Sequence, residues 1–204
     1  MLISNRDIMA NARSQLKGKW GTVLLVVFIY MLIAVIPGSI PKIGWIINLI
    51  IGGPIAFGIS YYFLSFTRVK KPVLEDLFKG FSIFAKTFIA YILIVMFTIL
   101  WALLLIVPGI IAAISYSMTF YIMADNGEMS GQDAIRKSKE LMDGNKYRYF
   151  CLVCRFLGWF LLGILSLGIG FLWIVPYFMA SNAGFYETLI QPEINRFDSQ
   201  SKLQ

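Results

Sequence analysis

The sequence predicts an all-α, polytopic membrane protein. Six transmembrane helices form three hairpins, with amphipathic interfacial helices on the cytoplasmic side. Three observations carry this. Of 204 residues, 58% are hydrophobic and 14% charged, with mean hydropathy +0.74; soluble domains carry about 25% charged residues. Six apolar stretches of roughly 16–22 residues match a hydrocarbon core about 30 Å thick at 1.5 Å per helical residue. Of 18 Lys and Arg, all but Lys42 fall on one side of those stretches. The positive-inside rule makes that side cytoplasmic, and with it both termini.

The apolar stretches are 21–37, 45–66, 88–107, 109–124, 150–165 and 168–189. The first is expected to remain as a signal anchor, because Ile36-Pro37-Gly38-Ser39 lacks a small-x-small cleavage pattern. Outer connections are short and nearly uncharged: Pro37 to Lys42, Val107-Pro108-Gly109, and Ser166-Leu167-Gly168. A Pro-Gly pair ends a helix and turns the chain, since proline restricts its predecessor and glycine accepts unusual backbone angles. Gly52-Gly53-Pro54 predicts a packing kink in the second stretch.

Inner connections are longer, charged and helically patterned. The basic residues before the first stretch are Arg6, Arg13, Lys17 and Lys19. Those between the second and third are Arg68, Lys70, Lys71, Lys79 and Lys86. The next group is Arg136, Lys137, Lys139, Lys146, Arg148 and Arg155, and the tail adds Arg196 and Lys202. Segment 5–19 places Ile8, Ala12 and Leu16 at helical spacing; 73–86 repeats this with Leu74, Leu77, Phe78, Phe81 and Phe84; 130–143 with Ala134, Ile135, Ser138, Leu141 and Met142. Ser130 with Asp133 predicts a capped helix start, and Gly144 its end. Each segment is expected to lie in the interface, apolar side in lipid and basic side toward anionic headgroups. A threefold repeat over 5–66, 73–124 and 130–190, within a single domain 1–204, follows from this alternation. Short echoes such as Ile59-Ser60-Tyr61 and Ile114-Ser115-Tyr116 support it.

Little in the chain suggests catalysis. There is no histidine, hence neither the commonest neutral-pH acid–base group nor the commonest metal ligand. No glycine-rich phosphate loop is present, which excludes an ATPase of that type. Cys151 and Cys154 lie on an apolar stretch without the partners of a tetrahedral metal site, and read as small packing residues. The paired carboxylates Glu75-Asp76 and Glu140/Asp143 sit on basic segments and read as solvated faces. The net charge of +7 is juxtamembrane and points to headgroups rather than nucleic acid. No cofactor is implied. The polar residues that stand out inside the apolar stretches are Ser115, Arg155, Asn182 and Glu187. Arg155 either snorkels to the headgroups or pairs with Glu187 or Asp125. The cluster serves either as glue between helices or as a polar inner vestibule.

Several blocks resemble a known family. They are Leu104-Leu105-Ile106-Val107-Pro108-Gly109-Ile110-Ile111, Tyr116-Ser117-Met118-Thr119-Phe120-Tyr121 with Asp125-Asn126, Ser138-Lys139-Glu140-Leu141-Met142-Asp143-Gly144, and Phe156-Leu157-Gly158-Trp159. Gly168-Ile169-Gly170, Trp173, Pro176-Tyr177 and Phe185-Tyr186 follow, and Leu16-Lys17-Gly18-Lys19-Trp20 fits the opening. Together they resemble the bacterial membrane family catalogued as domain of unknown function nine-seven-five, found mostly in Gram-positive bacteria. The chain departs from it at Cys151–Arg155, where the family carries an apolar and serine-bearing run. The resemblance implies a membrane fold and location and supplies no catalytic residue. The expectation is a non-enzymatic protein of the bacterial cytoplasmic membrane that binds lipid, another membrane protein or itself, in envelope stress or tolerance of membrane-active peptides. The alternative is a small transporter or channel subunit.

Overall fold

The computed structural model describes residues 3–68 and 71–201, with side chains as far as Gln191. Lys70 and Lys202 lie outside the described residues, as does the side chain of Arg196. Among the described residues every regular element is helical: α1 (Asn5–Leu16), α2 (Trp20–Val35), α3 (Gly44–Thr67), α4 (Lys79–Ser82), α5 (Phe84–Leu104), α6 (Ile106–Tyr116), α7 (Thr119–Asp125), α8 (Gly131–Met142), α9 (Lys146–Leu165) and α10 (Phe171–Ser201). Five spans are long and apolar enough to cross a membrane: Trp20–Ser39, Gly44–Thr67, Phe84–Leu104, Ile106–Asp125 and Lys146–Leu165. The sixth predicted stretch falls in the 31-residue helix α10.

The bundle is built around α3, which touches α2, α4, α5, α7 and α10. Its buried side chains, among them Phe57, Tyr62, Phe63 and Phe66, meet those of α7 and α10 in one continuous core. The outward faces of α2, α5, α6 and α9 stay apolar and exposed, as at Leu25, Leu100, Leu103 and Leu161. In water such a surface would be costly, at about 25 cal/mol per Å²; in hydrocarbon it is not.

Two amphipathic segments form helices where expected. Ser4 and Ser130 cap α1 and α8, each hydroxyl accepting the N–H three residues on at 3.2 Å and donating to the same residue's carboxylate at 2.7 Å. Gly144, at φ +73°, turns the chain after α8 as expected. Their apolar faces, however, do not lie in lipid. Ile8, Ala12 and Leu16 are buried, α1 packing along α10, and Ala134, Leu141 and Met142 are buried, α8 packing on α5, α6 and α7. Protein packing has taken the stripe the sequence assigned to the bilayer, because helical periodicity marks an apolar face without saying what covers it.

The middle segment differs more. Residues 73–86 are not one helix: a 3₁₀ turn at Leu74–Phe78 leads into the four-residue α4, and α5 starts at Phe84. The chain here crosses α3 backbone to backbone, with the Leu77 carbonyl on Gly58 and Gly80 on Pro54. The two segments meet there through backbone, with no side chain between them.

Two proline motifs also act differently from the expectation. Pro108-Gly109 lies in the first turn of α6, and the break between α5 and α6 falls at the extended residue Leu105. Proline is tolerated there because the first-turn N–H has no intrahelical partner. Helix α3 runs unbroken through Pro54; Gly53 sits against the Thr87 carbonyl and Gly52 against the Tyr91 ring, so the glycines make room for α5.

Candidate functional site

The polar chemistry gathers at one end of the bundle. Arg68 caps the C-terminus of α3 and stands where α7 and α10 converge. Its Nη1 meets Asp125 Oδ1 at 2.5 Å and its Nε meets Glu187 Oε1 at 2.6 Å. Tyr186 donates its hydroxyl to Asp125 Oδ2 at 3.1 Å. One guanidinium thus ties three helices together, a task its planar fork performs better than an ammonium. Hydrogen bonding to Asp125, with Glu187 adding to it, raises the Arg68 pKa further, so this group stays charged.

A second junction fixes α1. Asn5 donates to the Arg148 carbonyl at 2.7 Å. Arg148 in turn donates to the Ile3 carbonyl at 2.6 Å and to the Thr188 hydroxyl at 3.0 Å, with its guanidinium 4.9 Å from the Phe185 ring centroid.

A third junction is fully buried. The backbone breaks between α6 and α7 at Ser117 and Met118, and Ser138 of α8 fills the gap. Its hydroxyl donates to the Ser115 carbonyl at 2.7 Å and accepts the Met118 N–H at 3.3 Å. Inserting a side chain into the helical ladder is a recognised cause of such breaks. Ser138→Ala would leave both backbone groups unpaired in the core. The expected loss of stability is about 1–3 kcal/mol, readable as a lower melting temperature in detergent; an unchanged melting temperature would mean water replaces the hydroxyl.

The four polar residues singled out in the sequence occupy different surroundings. Ser115 is buried on α6 and donates to the Ile111 carbonyl at 2.7 Å. Glu187 is held by Arg68. Asn182 is buried on α10, its Oδ1 without a hydrogen-bond partner. Arg155 is exposed on α9. The sequence overlooked Arg68 because it reads as one more basic residue of an inner connection. Only the meeting of α3, α7 and α10 distinguishes it.

Arg155 lines a groove of about 620 Å³ between α1 and the α9–α10 pair. Arg6 and Arg13 of α1 and Lys17 just beyond it line one side, and Trp159 and Tyr177 line it from α9 and α10. Among the described residues no carboxylate lines it. A smaller cavity of about 190 Å³, lined by Trp20, Trp173 and Ile174, shares Arg13, Trp159 and Tyr177 with the groove. On the far side of α1, Gln15, Arg68, Glu187 and Thr188 line a third cavity of about 270 Å³.

A family model described as "Protein of unknown function (DUF975)" matches residues 1–115 and 103–193, in agreement with the resemblance noted in the sequence. No curated protein and no solved structure matches the chain.

Proposed function

We propose that this chain, which belongs to the DUF975 family, is a non-enzymatic, multi-pass protein of the bacterial cytoplasmic membrane. It acts by holding anionic lipid, or another membrane protein, at its cytoplasmic face, in envelope stress or tolerance of membrane-active peptides. The reading takes residues 171–189 of α10 as a sixth crossing. Helices α2 with α3, α5 with α6–α7, and α9 with α10 then form three hairpins with both termini cytoplasmic.

The observation that carries it is the use of the two capped helices. Their apolar sides are spent on the protein's own core, while Arg6, Arg13, Lys17, Arg136 and Lys139 remain exposed. A basic surface so placed gains about 1 kcal/mol per residue from an anionic leaflet. The test is cross-linking of native membranes, with lipid analysis of the same gently solubilised complex. Enrichment of anionic lipid, or one reproducible protein partner, is the expected result. A complex carrying neither would sink the reading.

A second reading, a small transporter or channel subunit, draws on the third cavity. It has charged walls at Arg68 and Glu187 and an unpaired Gln15 Oε1. Flux of a small polar solute into proteoliposomes, lost in Glu187→Gln, would favour it.

A further inference from the structure

We propose that the groove between α1 and the α9–α10 pair is a specific site for one anionic glycerophospholipid. Its phosphate would sit among Arg6, Arg13, Lys17 and Arg155, and an acyl chain would enter the adjoining aromatic cleft. The proposal rests on the membrane reading above and narrows it to a place and a ligand class.

Three features of the groove specify this occupant. The first is charge. Arg6 and Arg13 of α1, with Lys17 just beyond it, line one wall and Arg155 the opposite one, with no carboxylate among the described lining residues. Among the described residues none of the four makes an ion pair. Like charges gathered this way repel one another until an anion joins them. Three of them are guanidiniums, whose forked donors match phosphate oxygens bidentately.

The second feature is shape. The groove's volume of about 620 Å³ falls within the ~300–1,000 Å³ typical of small-molecule sites. It does not stop at the basic mouth. It continues past Arg13, Trp159 and Tyr177 into the cleft walled by Trp20, Trp173 and Ile174. A free phosphate would satisfy the cations and leave that cleft empty. An amphiphile with a phosphate head and a hydrocarbon tail fills both parts.

The third feature is position. Helix α9 carries Arg148 near its start and the exposed apolar Leu161, Leu162 and Leu165 near its end. Arg155 and Trp159 therefore stand where the helix passes from charged to lipid-facing surface. Cations pair with amphipathic aromatic rings at such a boundary. The exposed apolar surface of Trp159 and Trp173 lets a lipid enter sideways from the bilayer.

The test uses the full chain reconstituted in nanodiscs and released for native mass spectrometry. Phosphatidylglycerol and phosphatidylcholine of equal chain length are the competing probes. Wild-type protein is expected to retain one phosphatidylglycerol in preference to phosphatidylcholine. Arg13→Gln with Arg155→Gln should weaken that retention at least tenfold. Both side chains are exposed and make no ion pair among the described residues, so the fold should survive, and an unchanged melting temperature checks it. Lys71→Gln, which removes one exposed charge of an inner connection outside the groove, should leave retention intact. Trp159→Ala should release the lipid although it changes no charge, whereas glycerol phosphate should fail to displace it.

If phosphatidylglycerol is retained but Lys71→Gln weakens it as much as the groove variant, the lipid binds a diffuse basic face. The groove site is then overturned while the broader reading stands. If glycerol phosphate displaces the lipid as well as a second lipid does, the site is one for a phosphate head alone, and the acyl cleft is overturned. If the wild type retains neither lipid, the groove and the lipid arm of the broader reading fall together.

Discussion

Gly58→Val is expected to prevent the native fold, and Gly58→Ala to weaken it severely. A Cβ on Gly58 would run into the carbonyl oxygen of Leu77, with the Leu77 Cα 3.0 Å away. Both obstacles are backbone, so no rotamer change relieves them. Leu77 is fully buried, and the turn it belongs to lies on α3 with Gly80 against Pro54. Overpacking a tight site costs about 1–3 kcal/mol and occasionally more; a single methyl here belongs at or above the top of that range. Gly158→Ala supplies the contrast. It also lies within a helix, but a Cβ there meets nothing within 4 Å. Alanine at an open helical site gains about 0.5–1 kcal/mol over glycine. Thermal unfolding of both variants in one detergent should move in opposite directions. Equal melting temperatures would mean that the crossing of 74–82 over α3 is loose, and that the central helix is not held as described.

Arg68→Met should have the second largest effect. It removes the guanidinium shared by Asp125 and Glu187 and leaves two carboxylates facing each other where α3, α7 and α10 meet. Hydrogen bonds to charged groups are worth about 1.5–3 kcal/mol each. Partial exposure, 30% for the arginine and 21–31% for its partners, places the loss toward the lower end through solvent screening. Arg68→Lys should recover only part of it, because an ammonium cannot span both carboxylates with a planar fork. The triple variant Arg68→Met, Asp125→Asn, Glu187→Gln should be more stable than Arg68→Met alone, since it also removes the two like charges that the guanidinium held together. A single variant indistinguishable from wild type would make the junction a surface contact of no structural weight.

The junction also shows where reading the sequence stopped. Glu187 and Asp125 were legible as inner-end carboxylates in need of a cation. Arg155, two turns into an apolar stretch, reads either as snorkelling to the headgroups or as their partner. The partner is instead Arg68, remote in sequence and marked by nothing in its own neighbourhood. Arg155 turns outward into the groove with the α1 cations. Spacing along one helix tells which residues share a face. It does not tell how that helix is rotated against its neighbours.

The same boundary separates the two capped helices from the segment between them. Ser4 and Ser130 cap as their sequences require, because capping involves residues three apart. Segment 73–86 carries an equally helical pattern and yet breaks into a 3₁₀ turn and the short α4, its backbone lying against Gly58 and Pro54 of α3. Leu77 is buried there, while Phe78, Phe81 and Phe84 stay exposed.

Composition, hydropathy and charge placement thus determined by themselves that this chain is helical, rich in spans able to cross a membrane, and basic at one end. These properties sum over neighbouring residues and need no knowledge of distant ones. The family, too, was legible in short blocks. Tertiary structure alone decided that α1 and α8 bury their apolar stripes in protein, that Ser138 splices the break between α6 and α7, and that Arg68 joins three helices. It alone brought Arg155 across from Arg6, Arg13 and Lys17. Each of these depends on packing between residues far apart in sequence, where shape and the burial of polar groups choose among many arrangements that the local pattern allows equally.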